Sequence, residues 1–336
     1  MEPYKYGKNV KSILEERDFM RYKCHYCGNP NVLQKDSFCS VCGAPQPKRS
    51  PASAFLLSIL YALFIYGTMF AVQNGVVIIY SLCVQGSLPY SGYLYEYSNI
   101  YWNAFSKYFA LISICSALVL ILIYLLFYTL RGKHFTKEIS LAKIPPSAGT
   151  VSLSLGASSQ IIVVVAISLL AVLFPSIQDA NAANNEYYNL VFGGGSFIME
   201  VLCVGIITPI LEEIVFRGLI YTRLRRAMPV IAAQILSALF FGAAHMNWMQ
   251  FIYASLIGFL MALLFEKYQS IIPSILFHIA FNCFSYFTAL ITSNMLAYAL
   301  FFISIAIFLF GIYFIFRKES AKAEIQANSH SERNPS

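Results

Sequence analysis

Two adjacent carboxylates, Glu212 and Glu213, lie in an apolar stretch, and Arg217 follows Glu213 by four residues. An ionisable side chain inside a membrane costs roughly a few kcal/mol unless it is paired, so it indicates a functional site. Because residues four apart share a helix face, Glu213 and Arg217 are expected to form an ion pair. Glu212 lies about 100° further round the helix. We therefore expect it to face a different neighbour and to be free for chemistry, the alternative being a structural triad of charges.

Two histidines and an asparagine add polar groups at a similar expected depth. Of the five histidines, only His245 and His278 lie in predicted apolar spans. Asn282 follows His278 by four residues and so shares its helix face. Counting from the predicted membrane boundaries at about 1.5 Å per residue, Glu212 and His245 lie roughly 20 to 24 Å deep. The same count gives roughly 12 to 18 Å for His278 and Asn282, so all four are expected to meet within the membrane.

Two chemistries fit this set of side chains, and the sequence leaves both open. In the first, Glu212 and His245 hold a water molecule and one of them removes its proton. His278 and Asn282 then donate hydrogen bonds to the developing oxyanion. In the second, Glu212, His245 and His278 bind a catalytic Zn²⁺ ion and leave the fourth position to water. The His-Glu-x-x-His zinc motif is absent.

Four of the eight cysteines form two Cys-x-x-Cys pairs near the N-terminus, and a glycine follows each pair. The four residues are Cys24, Cys27, Cys39 and Cys42. Four thiolates at this spacing predict a tetrahedral structural zinc site, in a small zinc ribbon over residues 24–43. A disulfide pair or a redox dithiol is the alternative. With four cysteine ligands no coordination position stays open, so this zinc is expected to be structural.

The composition identifies the kind of fold that must position these groups. The chain has 336 residues, of which 58% are hydrophobic and only 12% charged, and its mean hydropathy is +0.63. Apolar runs near the roughly 20 residues that cross a bilayer recur from Ala54 to Phe316. We therefore predict an all-α polytopic membrane protein of about eight transmembrane helices. The spans are expected at about 54–83, 106–130, 150–174, 196–221, 229–247, 248–265, 271–292 and 295–316.

The distribution of charge predicts the orientation. The net charge of +7 is attributed to basic loops on the cytoplasmic side, because the loops after spans two, four and six carry Lys or Arg. The loops after spans one and three carry neither. We therefore expect a protein of the cell membrane with both termini in the cytoplasm. In the cytoplasm thiols are kept reduced, which favours metal binding over a disulfide. We also expect the first span to tilt or break near Gly75, and loops over 85–105 and after the third span.

The expected domain organisation has three parts. These are a cytoplasmic region 1–50 with the zinc ribbon, a membrane domain 51–318 with a protease-like core 195–292, and a disordered tail 319–336. The zinc ribbon is expected to bind a cytoplasmic protein partner or to stabilise the N-terminal region. Nucleic acid is not expected as a partner, because no stripe of aromatic and basic residues supports it.

Three short motifs resemble those of a known family. They are E-E-I-V-F-R from Glu212, F-G-A-A-H from Phe241 and H-I-A-F-N from His278. They are similar to the Glu-Glu-x-x-x-Arg, Phe-x-x-x-His and His-x-x-x-Asn motifs of the CPBP family. That family comprises CAAX prenyl proteases and bacteriocin-processing or bacteriocin-immunity proteins, also called Abi proteins. The N-terminal cysteine pairs lie outside the resemblance.

The resemblance implies an intramembrane endopeptidase on an eight-helix fold, acting on a membrane-associated protein or peptide. It implies that Glu212 and His245 activate water, with His278 and Asn282 as oxyanion donors or partners in a metal site. Whether such an enzyme depends on glutamate alone or on a metal is left open. The alternative function is a non-proteolytic membrane immunity or scaffold protein of the same fold. A proton-coupled transporter is not favoured, because no inverted repeats are evident.

Overall fold

The computed structural model describes residues 21–22, 32–33, 50–85, 94–192, 196–291 and 293–317. In these ranges the chain forms ten helices and one short antiparallel strand pair. The strands are β1 (Arg21–Tyr22) and β2 (Val32–Leu33), with Arg21 opposite Leu33. The helices are α1 (Pro51–Gln85), α2 (Leu94–Leu130), α3 (Phe135–Glu138), α4 (Pro146–Leu173), α5 (Pro175–Phe192), α6 (197–225), α7 (Val230–Ala243), α8 (Trp248–Tyr268), α9 (Ile272–Thr288) and α10 (Asn294–Phe316).

The predicted zinc ligands, Cys24, Cys27, Cys39 and Cys42, lie outside the described residues, and so does the predicted tail 319–336. The strand pair lies on either side of the first cysteine pair in sequence, because Cys24 and Cys27 fall between β1 and β2. The zinc ribbon and the disordered tail therefore stay predictions.

The chain is a helical membrane protein. Five helical stretches of the described chain are long and apolar enough to cross a membrane: Ala52–Val76, Lys107–Leu130, Pro146–Leu173, Trp248–Tyr268 and Met295–Phe316. Helices α7 and α9 are apolar but shorter. Large apolar side chains are exposed on the outside, including Phe70 at 69% and Phe302 at 68%, as a surface in contact with lipid requires. Helices occur in all eight predicted spans, and the number of crossings stays a prediction.

Helix α6 lies at the centre of the fold and packs against α1, α2, α7, α8 and α9. Two of its segments, Val201–Ile207 and Ile214–Tyr221, have the wider π-helical turn. The residues that join the segments keep right-handed helical dihedrals, so α6 runs through without a break. π-Helical turns inside a longer helix are frequent at functional sites. Here they lie on both sides of Thr208–Glu213, the segment that ends in the two carboxylates.

Two glycines hold α9 between α4 and α6. A Cβ atom on Gly156 of α4 would overlap the carbonyl of Phe277, the residue before His278. A Cβ atom on Gly205 of α6 would lie 2.9 Å from Cys283 Sγ on α9. Only a residue without a side chain permits such close approach of helix backbones. The two contacts fix the position of the helix that carries His278 and Asn282.

Several expectations about connections and helix ends were wrong. Helix α1 continues past Gly75 without a break, and the Gln73 side chain there donates to Ser113 of α2 at 3.0 Å. The predicted loop 85–105 becomes helical at Leu94.

The expected loop after the third span is helix α5, which begins with Pro175 at a position where no backbone N–H is needed. The asparagines of α5 favour a loop by propensity. One of them, Asn184, instead accepts a hydrogen bond from Asn247 at 3.2 Å. Packing of α5 against α2, α4 and α8 therefore overrides the local preference.

Candidate active site

The ion pair expected from sequence spacing is present at the centre of α6. Arg217 Nη1 lies 2.6 Å from Glu213 Oε1, and both side chains are fully buried. Arg217 Nη2 donates to the carbonyl of Gly258 in α8 at 2.9 Å. The guanidinium also lies over the ring of Phe241, 4.6 Å from its centroid. The pairing of Glu213 with Arg217 is confirmed, and Arg217 links three helices.

His278 lies between the two carboxylates of α6. Its Nδ1 atom is 3.0 Å from Glu213 Oε1, and its Nε2 atom is 3.7 Å from Glu212 Oε2. The expectation that the two acids face different neighbours was therefore wrong. Although Glu212 and Glu213 lie about 100° apart on the helix, one imidazole ring presents a nitrogen to each of them. The Glu212 side chain is 20% exposed, so Glu212 is the more accessible of the two acids.

The hydrogen bonds of the two histidines determine where their protons lie. His245 Nδ1 is 2.9 Å from the Phe241 carbonyl, which only accepts, so Nδ1 carries the hydrogen and neutral His245 keeps a free lone pair on Nε2. His278 Nδ1 donates in the same way to the Glu213 carboxylate. In both rings, Nε2 is the nitrogen left for chemistry.

Phe241 is the ring around which the site is packed. It makes edge-to-face contacts with His245 at 5.0 Å, with His278 at 5.4 Å and with Phe216 at 5.2 Å between ring centroids. It is 2% exposed and fills the space between α6, α7 and α9. Because α7 ends at Ala243, His245 lies within the predicted fifth span, 229–247, but in the turn that follows the helix and not in the helix itself. Phe241 thus contacts both imidazole rings of the site.

Asn282 satisfies a backbone group that Pro209 leaves without a partner. Proline has no N–H, so Pro209 cannot donate to the carbonyls four or five residues before it, those of Gly205 and Val204. Asn282 Nδ2 donates to the Val204 carbonyl at 2.8 Å, and the Cys283 thiol lies 3.6 Å from the Gly205 carbonyl. An asparagine amide has two hydrogens, so the second remains available to a ligand.

Tyr66 of α1 is a candidate neighbour of the site that the motifs did not indicate. Its phenol group lies within electrostatic range of Glu212. Tyr66 is remote in sequence from every motif, and the first span contains other tyrosines at positions 61 and 80. No spacing signal distinguishes it, because its proximity depends on the packing of α1 against α6.

The structure brings all six predicted catalytic residues into contact with Phe241, with each other or with the backbone of α6. His245 and Glu212 form no ion pair. In the part of the chain that the structure describes, no three His, Cys, Asp or Glu side chains are grouped to hold a metal ion. Glu212, His245 and His278 as placed therefore do not fit a three-ligand zinc site, and the catalytic zinc stays a prediction.

Residues 194–284 match the family model described as type II CAAX prenyl endopeptidase Rce1-like. The matched region contains all six predicted catalytic residues, from Glu212 to Asn282. No curated protein matches the chain, and no solved structure does. The family-model match supports the resemblance to the CPBP family that the three motifs carry.

Proposed function

We propose that the chain is an intramembrane endopeptidase that hydrolyses a peptide bond in or at the membrane. The observation that carries this proposal is the placement of His278 between Glu212 and Glu213. Glu213 is neutralised by Arg217, whereas Glu212 is partly exposed and has no cation of its own on α6. A partly accessible carboxylate beside an imidazole is suited to general-base catalysis.

In the proposed reaction, Glu212 removes a proton from a water molecule, and the water oxygen attacks the carbonyl carbon of the substrate. The distance of 3.7 Å from Glu212 Oε2 to His278 Nε2 is too long for a direct hydrogen bond, and the proposed water lies to one side of this gap, in contact with both atoms. With both ring nitrogens of His278 protonated, Nε2 donates to the water, which donates one hydrogen to Glu212 and the other to His245 Nε2. Protonated Glu212 then gives its proton to the leaving amine, so that the base is restored.

The developing oxyanion is assigned to His278 and Asn282. His278 donates to the oxyanion from Nε2 in its doubly protonated form, in which Nδ1 keeps its hydrogen bond to the Glu213 carboxylate. Asn282 has one amide hydrogen beyond the bond to Val204. Donors of this kind act strongly in a site that excludes water. Arg217 and Glu213 are assigned to positioning and charge balance around His278.

The test is peptide cleavage by the full chain in liposomes. The matched family model suggests a farnesylated Cys-aliphatic-aliphatic-X peptide as the first substrate, compared with the same peptide without the lipid. General-base catalysis contributes about 10²- to 10⁴-fold, so Glu212→Gln is expected to lower kcat by that factor. Glu200→Gln, on the same helix but outside the site, is the matched control. Full activity of Glu212→Gln on every cleaved peptide contradicts the proposal.

Metal dependence is tested in the same preparation. Zinc is counted in the wild-type chain, in Glu212→Gln, and in a variant with serine at all four N-terminal cysteines. Activity that persists after metal removal and disappears with Glu212→Gln supports the general-base mechanism. Loss of one zinc ion with Glu212→Gln or His245→Ala, together with loss of activity, assigns the chemistry to a metalloprotease.

The buried network also suits a second candidate, a non-proteolytic immunity or scaffold protein. Arg217, His278 and Asn282 connect α6 to α8 and α9 and would stabilise the fold without catalysis. Retained biological activity in a Glu212→Gln, His245→Ala double variant supports this candidate. For either function, we propose cytoplasmic termini and a structural zinc at Cys24, Cys27, Cys39 and Cys42, with a cytoplasmic protein as the partner of the zinc ribbon.

A further inference from the structure

Arg223, near the end of α6, is a buried cation whose partners are all neutral. Its side chain is 7% exposed. Nη2 donates to the hydroxyl of Tyr128 at 2.6 Å and to that of Tyr61 at 3.1 Å, and Nη1 donates to the Leu219 carbonyl at 2.7 Å. The guanidinium also lies over the Tyr61 ring, 4.3 Å from its centroid. No acidic side chain among the described residues forms an ion pair with it.

The neighbouring cation on α6 shows the contrast. Arg225 is fully buried, and it pairs with Glu266 of α8 at 3.3 Å. Glu266 also accepts a hydrogen bond from Tyr221 at 2.6 Å. A buried charge is costly unless it is paired, so buried charges in proteins have partners of opposite sign. The position of Arg223 therefore indicates a missing anion.

An apolar cleft lies beside this cation, between α1 and α2. Its volume is about 290 Å³, and its lining includes Leu60, Phe64, Ile123 and Phe127. Leu60 and Phe64 are about half exposed on the outer surface of α1. The cleft is therefore open on the side that faces lipid. Its apolar lining suits a hydrocarbon chain.

Polar groups lie in the wall of this cleft and beside it. Tyr61 and Tyr124 line it, and Tyr61 is the residue that Arg223 contacts. Tyr124 is 3% exposed and its hydroxyl has no hydrogen-bond partner. Exposed Arg131 stacks on Phe127 with its guanidinium 4.3 Å from the ring centroid. Two cations, each in contact with a lining residue, and an unsatisfied hydroxyl thus accompany the apolar cleft.

We propose that this cleft binds one anionic phospholipid. The acyl chain lies along α1 and α2, and the phosphate is held by Arg131 and the Tyr124 hydroxyl, with Arg223 supplying further positive potential. Helix α2 ends at Leu130, next to the basic loop that contains Arg131 and Lys133, which is the level of lipid headgroups. The proposed peptidase chemistry uses none of these residues.

The experiment is lipid titration of the full chain in detergent, followed by native mass spectrometry. The probes are dioleoyl phosphatidylglycerol and dioleoyl phosphatidylcholine, which share acyl chains and differ in charge. Each basic side chain near a lipid surface contributes about fivefold in affinity for an anionic lipid. We expect one phosphatidylglycerol to bind at least about fivefold more tightly than phosphatidylcholine.

Single variants assign that preference to the cleft. Arg131→Gln and Arg223→Gln are each expected to weaken phosphatidylglycerol binding about fivefold, and Lys133→Gln, which removes a nearby surface charge, is the matched control. Tyr124→Phe removes only the hydroxyl and is expected to weaken binding about two- to tenfold. If Arg223→Gln does not fold, the exposed Arg131 and the conservative Tyr124→Phe change decide the result.

Three results overturn the proposal. Equal affinity for the two lipids shows that there is no site selective for an anionic lipid. An equal effect of Lys133→Gln and Arg131→Gln assigns the preference to the general surface charge. The third result concerns the acyl chain. Leu60→Trp fills the cleft and is expected to abolish tight binding of phosphatidylglycerol. Unchanged binding in that variant, or full competition by inorganic phosphate, shows that no acyl chain occupies the cleft.

Discussion

Removal of Arg217 alone is expected to leave a buried carboxylate without its cation. Both side chains of the pair are 0% exposed, and the atoms that join them are 2.6 Å apart. Loss of one partner from a buried ion pair costs about 3–5 kcal/mol in the free energy of unfolding. Arg217→Met also removes the bond to the Gly258 carbonyl and the contact with the Phe241 ring. We therefore expect a loss in the upper half of that range.

The double variant Glu213→Gln, Arg217→Met separates charge from packing. Replacement of a whole buried pair by neutral side chains of similar volume is often close to neutral. The double variant is therefore expected to be more stable than Arg217→Met, although it contains one more change. The free energy of unfolding is measured by circular dichroism in mixed micelles.

The matched control is Arg131→Met, which removes an exposed cation that only stacks on Phe127. Such a contact is worth roughly 0.5–1 kcal/mol. If Arg217→Met loses no more stability than this control, Glu213 is not a buried charge that depends on Arg217. If the double variant is less stable than Arg217→Met, the cost is packing and the electrostatic reasoning fails.

Three further predictions concern the surroundings of the site. Asn282→Leu is expected to cost about 1–3 kcal/mol in thermal unfolding, because it leaves a buried carbonyl unsatisfied. The loss should be smaller in a Pro209→Ala background, where the backbone N–H is restored, and an equal loss in both backgrounds refutes this account. Combined Cys24→Ser and Cys39→Ser changes are expected to release zinc, measured by elemental analysis, and to leave the helical circular dichroism signal unchanged. Tyr66→Phe is expected to lower peptide cleavage severalfold, because the general base loses a polar neighbour, and unchanged cleavage excludes Tyr66 from the site.

The sequence predicted the helices well where a physical constraint acts on every residue of a segment. A bilayer requires about 20 apolar residues, so the long runs that became α2, α4, α8 and α10 were located to within a few residues. The segments that connect the spans were predicted poorly, because their structure depends on contacts with other helices. Helix α5 is rich in asparagine, which favours a loop by propensity, yet the helix is stabilised by contacts with α2, α4 and α8.

The same division applies to the site. Contacts between residues four apart on one helix follow from sequence, and the Glu213–Arg217 pair was predicted in this way. Contacts between helices could not be predicted from the sequence. The bond from Asn282 to the Val204 carbonyl requires that α9 pass the proline-containing turn of α6, which glycines at close approach allow. The order of the motifs indicated that these residues meet, and only the packing of the helices shows which of their atoms are in contact.

We infer that the placement of these side chains suits the proposed activation of water by a carboxylate better than coordination of a metal ion. A three-ligand zinc site needs Glu212 and the Nε2 atoms of both histidines to converge on one point. His278 has its Nδ1 on Glu213, which also holds Arg217, so the ring is fixed by a buried network that spans α6 and α9. His245 is fixed separately, by the Phe241 carbonyl on α7. Convergence on a metal would require one of these anchored rings to move, whereas a water molecule to one side of the 3.7 Å gap can contact both Glu212 Oε2 and His278 Nε2 as they stand.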